Sequence, residues 1–171
     1  MSILITGRDL PEMKGTLLKP EGPLPAQWQG LTTTTGLTLV LTQGATTAAL
    51  ALKVWPQLQG RITRIIYAGG TFERGDATPW AEQTVWRDPA AMESLLNAGI
   101  PIWLCTTEAA AAHGMTTAAL AEACAMDPDA FSIVACGVHA EYDPASPACG
   151  KLTRDLYSMN RYPRNNVELV L

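Results

Sequence analysis

Polar side chains suited to binding sugar hydroxyls are concentrated in one stretch of the chain, residues 62–89. The stretch opens with a β-branched run, residues 62–66, that is typical of a buried strand. Gly69-Gly70 follows, where the lack of a Cβ lets the backbone turn sharply or lets a ligand approach it closely. The polar groups come next and are Glu73, Asp76, Thr78, Glu82, Gln83 and Thr84. Because open α/β sheets bind ligands outside the carboxyl ends of their strands, this order predicts a binding site.

Hydrophobic runs and capping residues predict the elements that must position this loop. Residues 37–42 form a continuous apolar strand, and Thr46 or Thr47 caps a helix that runs to Trp55. Together with a strand over 62–67 they make a βαβ unit, so the two strands are parallel. The other predicted elements are a polar irregular loop before Asp88, helices over 89–97, 107–112, 116–126, 129–134 and 146–159, a strand over 100–104, and a terminal strand over 167–171 at a sheet edge.

These elements predict an α/β fold, a mainly parallel sheet flanked by helices, in a single domain of 171 residues. The first 30 residues are rich in proline and glycine, which forbids long elements and predicts an irregular N-terminal arm. Within it, residues 3–6 are apolar enough for a short strand.

Composition restricts the class of protein. A hydrophobic content of 47% indicates a folded chain, and a net charge of −4 gives no electrostatic case for binding nucleic acid or an anionic membrane. Four widely spaced cysteines without a C-x-x-C pair favour free thiols over a disulfide framework. No signal peptide or membrane-spanning apolar run is evident, which predicts a cytoplasmic protein.

A series of short motifs in a fixed order resembles a known family. GG, GDATPWAE, a DP that opens a helix, and GIPI are similar to the middle of the calcium-dependent, inosine-uridine preferring nucleoside hydrolases. LVLTQGATTAALALKVWP upstream and SPACGKLTRDLYSM downstream extend the resemblance to residues 37–159. It implies a truncated nucleoside hydrolase-like core and hydrolysis of the N-glycosidic bond of ribonucleosides.

The resemblance also implies which residues contact a nucleoside or another ribosyl small molecule. Glu82-Gln83-Thr84 matches the family's E-F-N segment, whose members contact ribose hydroxyls, and the threonine matching Thr42 gives its carbonyl to calcium. Simpler interpretations remain beside these: a loop that only packs, or an acid paired with an arginine, and an ordinary strand-to-helix turn at Thr42. The predicted substrate-binding set is Thr42, Ala68, Gly69, Gly70, Asp76, Glu82, Gln83 and Thr84.

The family's calcium ligands are not matched in this sequence. Neither the D-x-D-P-G-x-D-D cluster nor the late His-Asp pair is present, and Asp9 and Glu12 lack the required spacing. We therefore expect no cofactor and no tight metal site. His139, Glu141 and Asp143 alternate along an extended segment and could share a metal ion, although an exposed turn is the favoured interpretation.

Two classes of function are consistent with these observations. One is a nucleoside hydrolase-like enzyme. The other is a catalytically inactive relative that binds a ribosyl ligand or serves as an assembly subunit. For either class we expect a homo-oligomer, because open sheet edges and apolar surface favour pairing.

Overall fold

The computed structural model describes residues 2–6, 28, 30–155 and 165–171. The predicted irregular arm over residues 1–30 falls largely outside these ranges. Its short strand is confirmed as β1, Ser2–Thr6.

A six-stranded sheet organises the described part of the chain. Its strands are β1, β2 (Leu37–Leu41), β3 (Ile62–Ala68), β4 (Ile102–Cys105), β5 (Ile133–Ala135) and β8 (Val167–Val170). Their order is β1-β2-β3-β4-β8-β5, and every neighbouring pair is parallel except β5 with β8. A separate antiparallel pair joins β6 (Gly137–Ala140) to β7 (Leu152–Asp155). The mainly parallel α/β fold is thus as predicted.

Helices cover both faces of this sheet. They are α1 (Thr46–Val54), α2 (Gln83–Arg87), α3 (Pro89–Leu96), α4 (Thr107–Ala112) and α5 (Thr117–Met126). Leu39 and Leu41 pack in one core cluster with α1 and α3, whereas Val40 packs in a second cluster with α4 and α5. Burial on both faces explains why β2 is a continuous apolar run rather than an alternating one.

Several local predictions were right in position and physical cause. Asp88 caps α3, accepting a hydrogen bond from the Ala91 amide at 3.0 Å, and Thr116 caps α5 in the same way. Helix α1 was predicted correctly but its cap was not, since the N-cap residue is Ala45. The Thr46 hydroxyl instead donates to Asp88 Oδ2 at 2.8 Å, which links the starts of α1 and α3.

Four further predictions were wrong. The polar loop contains a short helix, α2, because the Glu82 side chain caps it. Pro128 begins only a single 3₁₀ turn, Pro128–Ala130, and β-branched Ile133-Val134 extends to pair with β8. That added strand also moves β8 from the predicted sheet edge to the interior.

The fourth error concerns the helix predicted over residues 146–159. Ser146 starts only a turn, in which its carbonyl accepts from the Cys149 amide at 3.1 Å, and Gly150 ends it with a φ of 85°. Strand β7 follows and pairs with β6. Residues 156–159 lie outside the described ranges.

The described cysteines, Cys105, Cys124, Cys136 and Cys149, are all free thiols, as predicted. Within the described ranges no helix is both long and apolar enough to cross a membrane.

Candidate functional site

The carboxyl end of β3 turns at Gly69-Gly70. Both glycines have positive φ, 134° and 82°, a conformation that favours residues without a Cβ. Their backbone is fixed on both sides, because the Gly69 amide donates to the Cys105 carbonyl at 3.0 Å and the Gly70 carbonyl accepts from the Thr107 amide at 3.0 Å. A Cβ on Gly69 would collide with the Thr84 hydroxyl. The close approach at this turn is therefore made by the protein's own side chains.

The Glu82 carboxylate lies directly beside this turn and is only 7% exposed. Its Oε2 accepts hydrogen bonds from the Gly70 amide at 2.8 Å and from the Thr84 hydroxyl at 2.6 Å. Its Oε1 accepts from the Thr84 amide at 3.0 Å, which caps α2. Tyr67 extends the network, since its hydroxyl donates to Thr84 Oγ1 at 3.0 Å. A carboxylate has about four acceptor positions, so the described contacts fill both positions on Oε2 and one of the two on Oε1.

The other predicted site residues lie around this cluster. The exposed Asp76 accepts from the Gln83 amide through Oδ1 at 2.8 Å, which ties the start of the loop to α2. Ala68 ends β3 and is buried. Half-buried Thr42 follows Leu41, whose ladder partner on β3 is Tyr67, so both sit at the same edge of the sheet.

The structure thus brings Gly69, Gly70, Glu82 and Thr84 into direct contact, pairs Asp76 with Gln83, and sets Thr42 and Ala68 at adjoining strand ends. Whether these residues bind a ligand stays a prediction. The rival interpretation paired Glu82 with Arg74 or Arg87, but the described carboxylate contacts are with Gly70 and Thr84.

Glu108 is a second acid at this edge of the sheet, and no sequence pattern indicated it. Its Oε1 accepts hydrogen bonds from the Thr71 hydroxyl, from the Phe72 amide at 3.0 Å and from the Glu73 amide at 3.1 Å. Burial would raise the pKa of this carboxyl, but the hydrogen bonds outweigh burial and hold the pKa below its ordinary value. The Thr106 hydroxyl also lowers this pKa. The second carboxylate oxygen, Oε2, is buried and accepts no hydrogen bond from the described residues.

A cavity of about 280 Å³ opens at the carboxyl ends of β4 and β8. Its walls carry the Arg154 guanidinium, which lies over the Phe72 ring at 5.1 Å from the ring centroid. The lining residues are Phe72, Glu73, Thr106, Glu108, Ala109, Ala112, Arg154, Leu169, Val170 and Leu171. No sequence motif indicated this cavity, because its walls come from four separate segments of the chain.

A metal ion such as calcium needs several ligand side chains close together. The described residues contain no group of three or more histidine, cysteine, aspartate or glutamate side chains that could hold a metal ion. His139 Nδ1 lies 2.9 Å from Glu93 Oε1, while Glu141 and Asp143 accept backbone amides within their own turn. The described side chains alone thus supply no cluster of calcium ligands, and the expected absence of a tight metal site stays a prediction.

Comparisons with known proteins agree on one family. Residues 20–163 match the model described as inosine-uridine preferring nucleoside hydrolase. The pyrimidine-specific ribonucleoside hydrolase RihA of Salmonella arizonae is 41% identical over 66 residues, which are 39% of this chain and 21% of the relative. RihA of Escherichia coli O9:H4 is 39% identical over the same share of each chain.

Solved structures show the same fold at low sequence identity. An inosine-guanosine nucleoside hydrolase superposes with a TM-score of 0.75 at 17% identity, covering 85% of this chain and 61% of that one. The inosine-uridine preferring nucleoside hydrolase of Bacillus anthracis gives 0.71 at 20% identity, covering 85% and 58%. The chain thus matches about three fifths of the length of these structures, and about a fifth of the curated relatives by sequence.

Proposed function

The chain belongs to the inosine-uridine preferring nucleoside hydrolase family, and we propose that it binds a ribonucleoside at the carboxyl edge of its sheet and cleaves the N-glycosidic bond. One observation carries the proposal. The family match covers residues 20–163, and within it Glu82, Gly70 and Thr84 form one hydrogen-bonded cluster beside the Gly69-Gly70 turn. The location agrees with the general rule that open α/β sheets bind ligands at this edge.

The chemistry requires one water molecule for each nucleoside. The bond between C1′ of ribose and the base nitrogen breaks, the water oxygen adds to C1′, and the base nitrogen and the new sugar hydroxyl each take one proton. Such reactions pass through a transition state with positive charge on the sugar ring. Carboxylates beside the ring stabilise that charge, and Glu82 and Asp76 are the candidates at this turn.

The geometry of Glu82 restricts how it would hold a sugar. Because Oε2 already accepts two hydrogen bonds and Oε1 one, the carboxylate cannot accept two vicinal ribose hydroxyls without losing an internal bond. We expect a single hydrogen bond from ribose to Oε1. The internal donors fix the orientation of this acceptor before any ligand binds.

Incubation with a panel of ribonucleosides tests the proposal. Free base is measured by chromatography and ribose as a reducing sugar, with and without added Ca²⁺. We expect equal amounts of both products, and we expect the Glu82→Gln variant to release far less. Glu122→Gln, which neutralises an exposed carboxylate on α5, is the matched control.

Two results would count against hydrolysis. Binding of ribonucleosides without product release would favour the alternative, a catalytically inactive relative that holds a ribosyl ligand. Neither binding nor release would favour a role as an assembly subunit.

A further inference from the structure

Tyr67 carries a hydroxyl group from the centre of the sheet to the Glu82 cluster. Its side chain is fully buried, and its ladder partners on the two neighbouring strands, Leu41 and Leu104, are buried in the same core cluster. The Tyr67 hydroxyl donates to Thr84 Oγ1 at 3.0 Å. Because a close-packed core holds the ring, this donor is fixed in position before any ligand binds.

The number of protons sets the direction of each hydrogen bond between Tyr67, Thr84 and Glu82. The Glu82 carboxylate can only accept, so the Thr84 hydroxyl must donate to Oε2, at 2.6 Å. A threonine hydroxyl has a single proton, which this bond uses. Toward Tyr67 the Thr84 oxygen can therefore only accept, and the tyrosine must donate. The result is a directed series of hydrogen bonds, which we call the Tyr67–Thr84–Glu82 series.

This direction affects both the acid and the threonine. A hydrogen bond in a series polarises the next one, so the bond from Tyr67 strengthens the bond from Thr84 to Oε2. Among the described contacts Oε2 then has two strong donors, Thr84 and the Gly70 amide, whereas Oε1 has one. Thr84 has no second proton to donate to a ligand. Its hydroxyl is also enclosed on one side by Gly69, where a Cβ would collide with it.

We propose that Tyr67 is a positioning residue for the ribosyl site, which acts through the Thr84 hydroxyl to hold the Glu82 carboxylate with Oε1 toward the sugar. Thr84 then orients the acid and leaves the contact with the sugar to Glu82. The inference rests on the proposed function, since it concerns the acid that would hold the ribosyl group. The orientation of Glu82 can nevertheless be measured in the free protein, without any substrate.

A double-mutant cycle in the free protein tests the series. Tyr67→Phe removes the hydroxyl but keeps the buried ring, and Thr84→Val removes the other hydroxyl but keeps the shape of the side chain. The measured quantity is the NMR shift of the Glu82 side-chain carboxyl carbon in protein labelled on glutamate, identified by its absence from Glu82→Gln. Tyr142→Phe, which removes the hydroxyl of an exposed tyrosine beside His139, is the matched control.

We expect Tyr67→Phe and Thr84→Val each to move the Glu82 resonance. The double variant should move it no further than Thr84→Val alone, because Tyr67 acts only through Thr84. Thr84→Ser, which restores the hydroxyl, and Tyr142→Phe should both stay close to the wild-type position. A resonance that does not move in Tyr67→Phe, or shifts that add in the double variant, would overturn the positioning role.

Calorimetric titration of one ribonucleoside into the same variants separates this inference from the proposed function. We expect Tyr67→Phe to weaken binding by about threefold or more, the effect of losing one neutral hydrogen bond, and to have no effect once Thr84 is valine. Equal affinity in wild type, Tyr67→Phe and Thr84→Val would retain nucleoside binding and overturn the positioning role. If the resonance moves as expected but wild type binds no ribonucleoside, Tyr67 does orient Glu82 and the proposed function is wrong.

Discussion

Two carboxylates, Glu82 and Glu108, shape the edge of the sheet in the same way. Each accepts hydrogen bonds from a threonine hydroxyl and from the loop that follows β3, where Glu82 binds one backbone amide and Glu108 binds two. Backbone amides at such a turn have few other partners, and leaving one buried without a bond costs about 1–3 kcal/mol. Both acids therefore stabilise the loop.

The lowered pKa of Glu108 predicts a pH dependence of stability. Since the folded state lowers the pKa below its ordinary value of 4.5, the ionised form stabilises the fold. That contribution is fully present above the unfolded-state pKa and is lost as pH falls through the folded-state pKa. We expect wild type to exceed Glu108→Gln in free energy of unfolding at neutral pH, with the difference shrinking as pH falls below about 4.5.

Urea unfolding of both proteins at several pH values between neutral and acid checks this expectation. The Glu122→Gln variant, in which the altered side chain is exposed on α5, is the control. If the free energies of unfolding of wild type and Glu108→Gln differ by the same amount across this range, ionised Glu108 does not stabilise the fold as proposed.

The sequence pointed to Glu82 as a candidate site residue, whereas it gave no sign of Glu108. Glu82 lies in a recognisable segment close to the glycines it contacts, so local spacing identifies it. Glu108 is separated from Phe72 by 36 positions and resembles an ordinary acid in the first turn of a helix. Its partners are determined by the pairing of β3 with β4, which no local pattern contains.

At the scale of elements, the Gly69 turn joins β3 to the loop and to α2. Two effects oppose a side chain at Gly69, the positive φ and the collision with Thr84. A substitution at Gly36 measures the first effect alone, because this residue has a φ of 67° but open space around its Cβ position.

We therefore expect Gly36→Ala to lower the free energy of unfolding by about 1 kcal/mol. Gly69→Ala should lower it by more, roughly 2–4 kcal/mol, since overpacking adds to backbone strain. Urea unfolding of the two variants measures both values. Equal losses would show that Thr84 and Glu82 do not enclose the turn.

Hydrophobic runs predicted the parallel strands well. Residues typical of helix N-caps were a poorer guide to the helices. β2 and β4 are buried along their whole length, and β3 is buried from Ile65 to Ala68, because both faces of the sheet are covered. Such apolar runs are recognisable without tertiary information. Asp127-Pro128 and Ser146-Pro147 also have the composition of helix starts. The chain after each of them pairs as a strand, so tertiary pairing overrides the local preference.

At the scale of the whole molecule, β5 is an edge strand with exposed apolar side chains. Ile133 and Val134 are 38% and 39% exposed, and the strand carries no lysine or proline of the kind that blocks edge pairing. The predicted homo-oligomer can form here if two copies of β5 pair antiparallel about a two-fold axis.

Light scattering at tens of micromolar protein tests this arrangement. We expect a dimer for wild type and a monomer for Val134→Lys. Val54→Lys, which changes an exposed valine at the end of α1, should remain dimeric. A monomeric wild type, or a Val134→Lys variant that stays dimeric, would contradict pairing through β5.

The most direct test of the central claim is a calorimetric titration of one ribonucleoside and its 2′-deoxy analogue into wild type and Glu82→Gln. The claim is that the Glu82 cluster beside Gly69-Gly70 holds the ribosyl group. We predict that wild type binds the ribonucleoside and that Glu82→Gln binds it about 1.5–3 kcal/mol more weakly, the range for a hydrogen bond to a charged group. Folded Glu82→Gln protein with the same dissociation constant as wild type, or absence of binding to either protein, would contradict the claim.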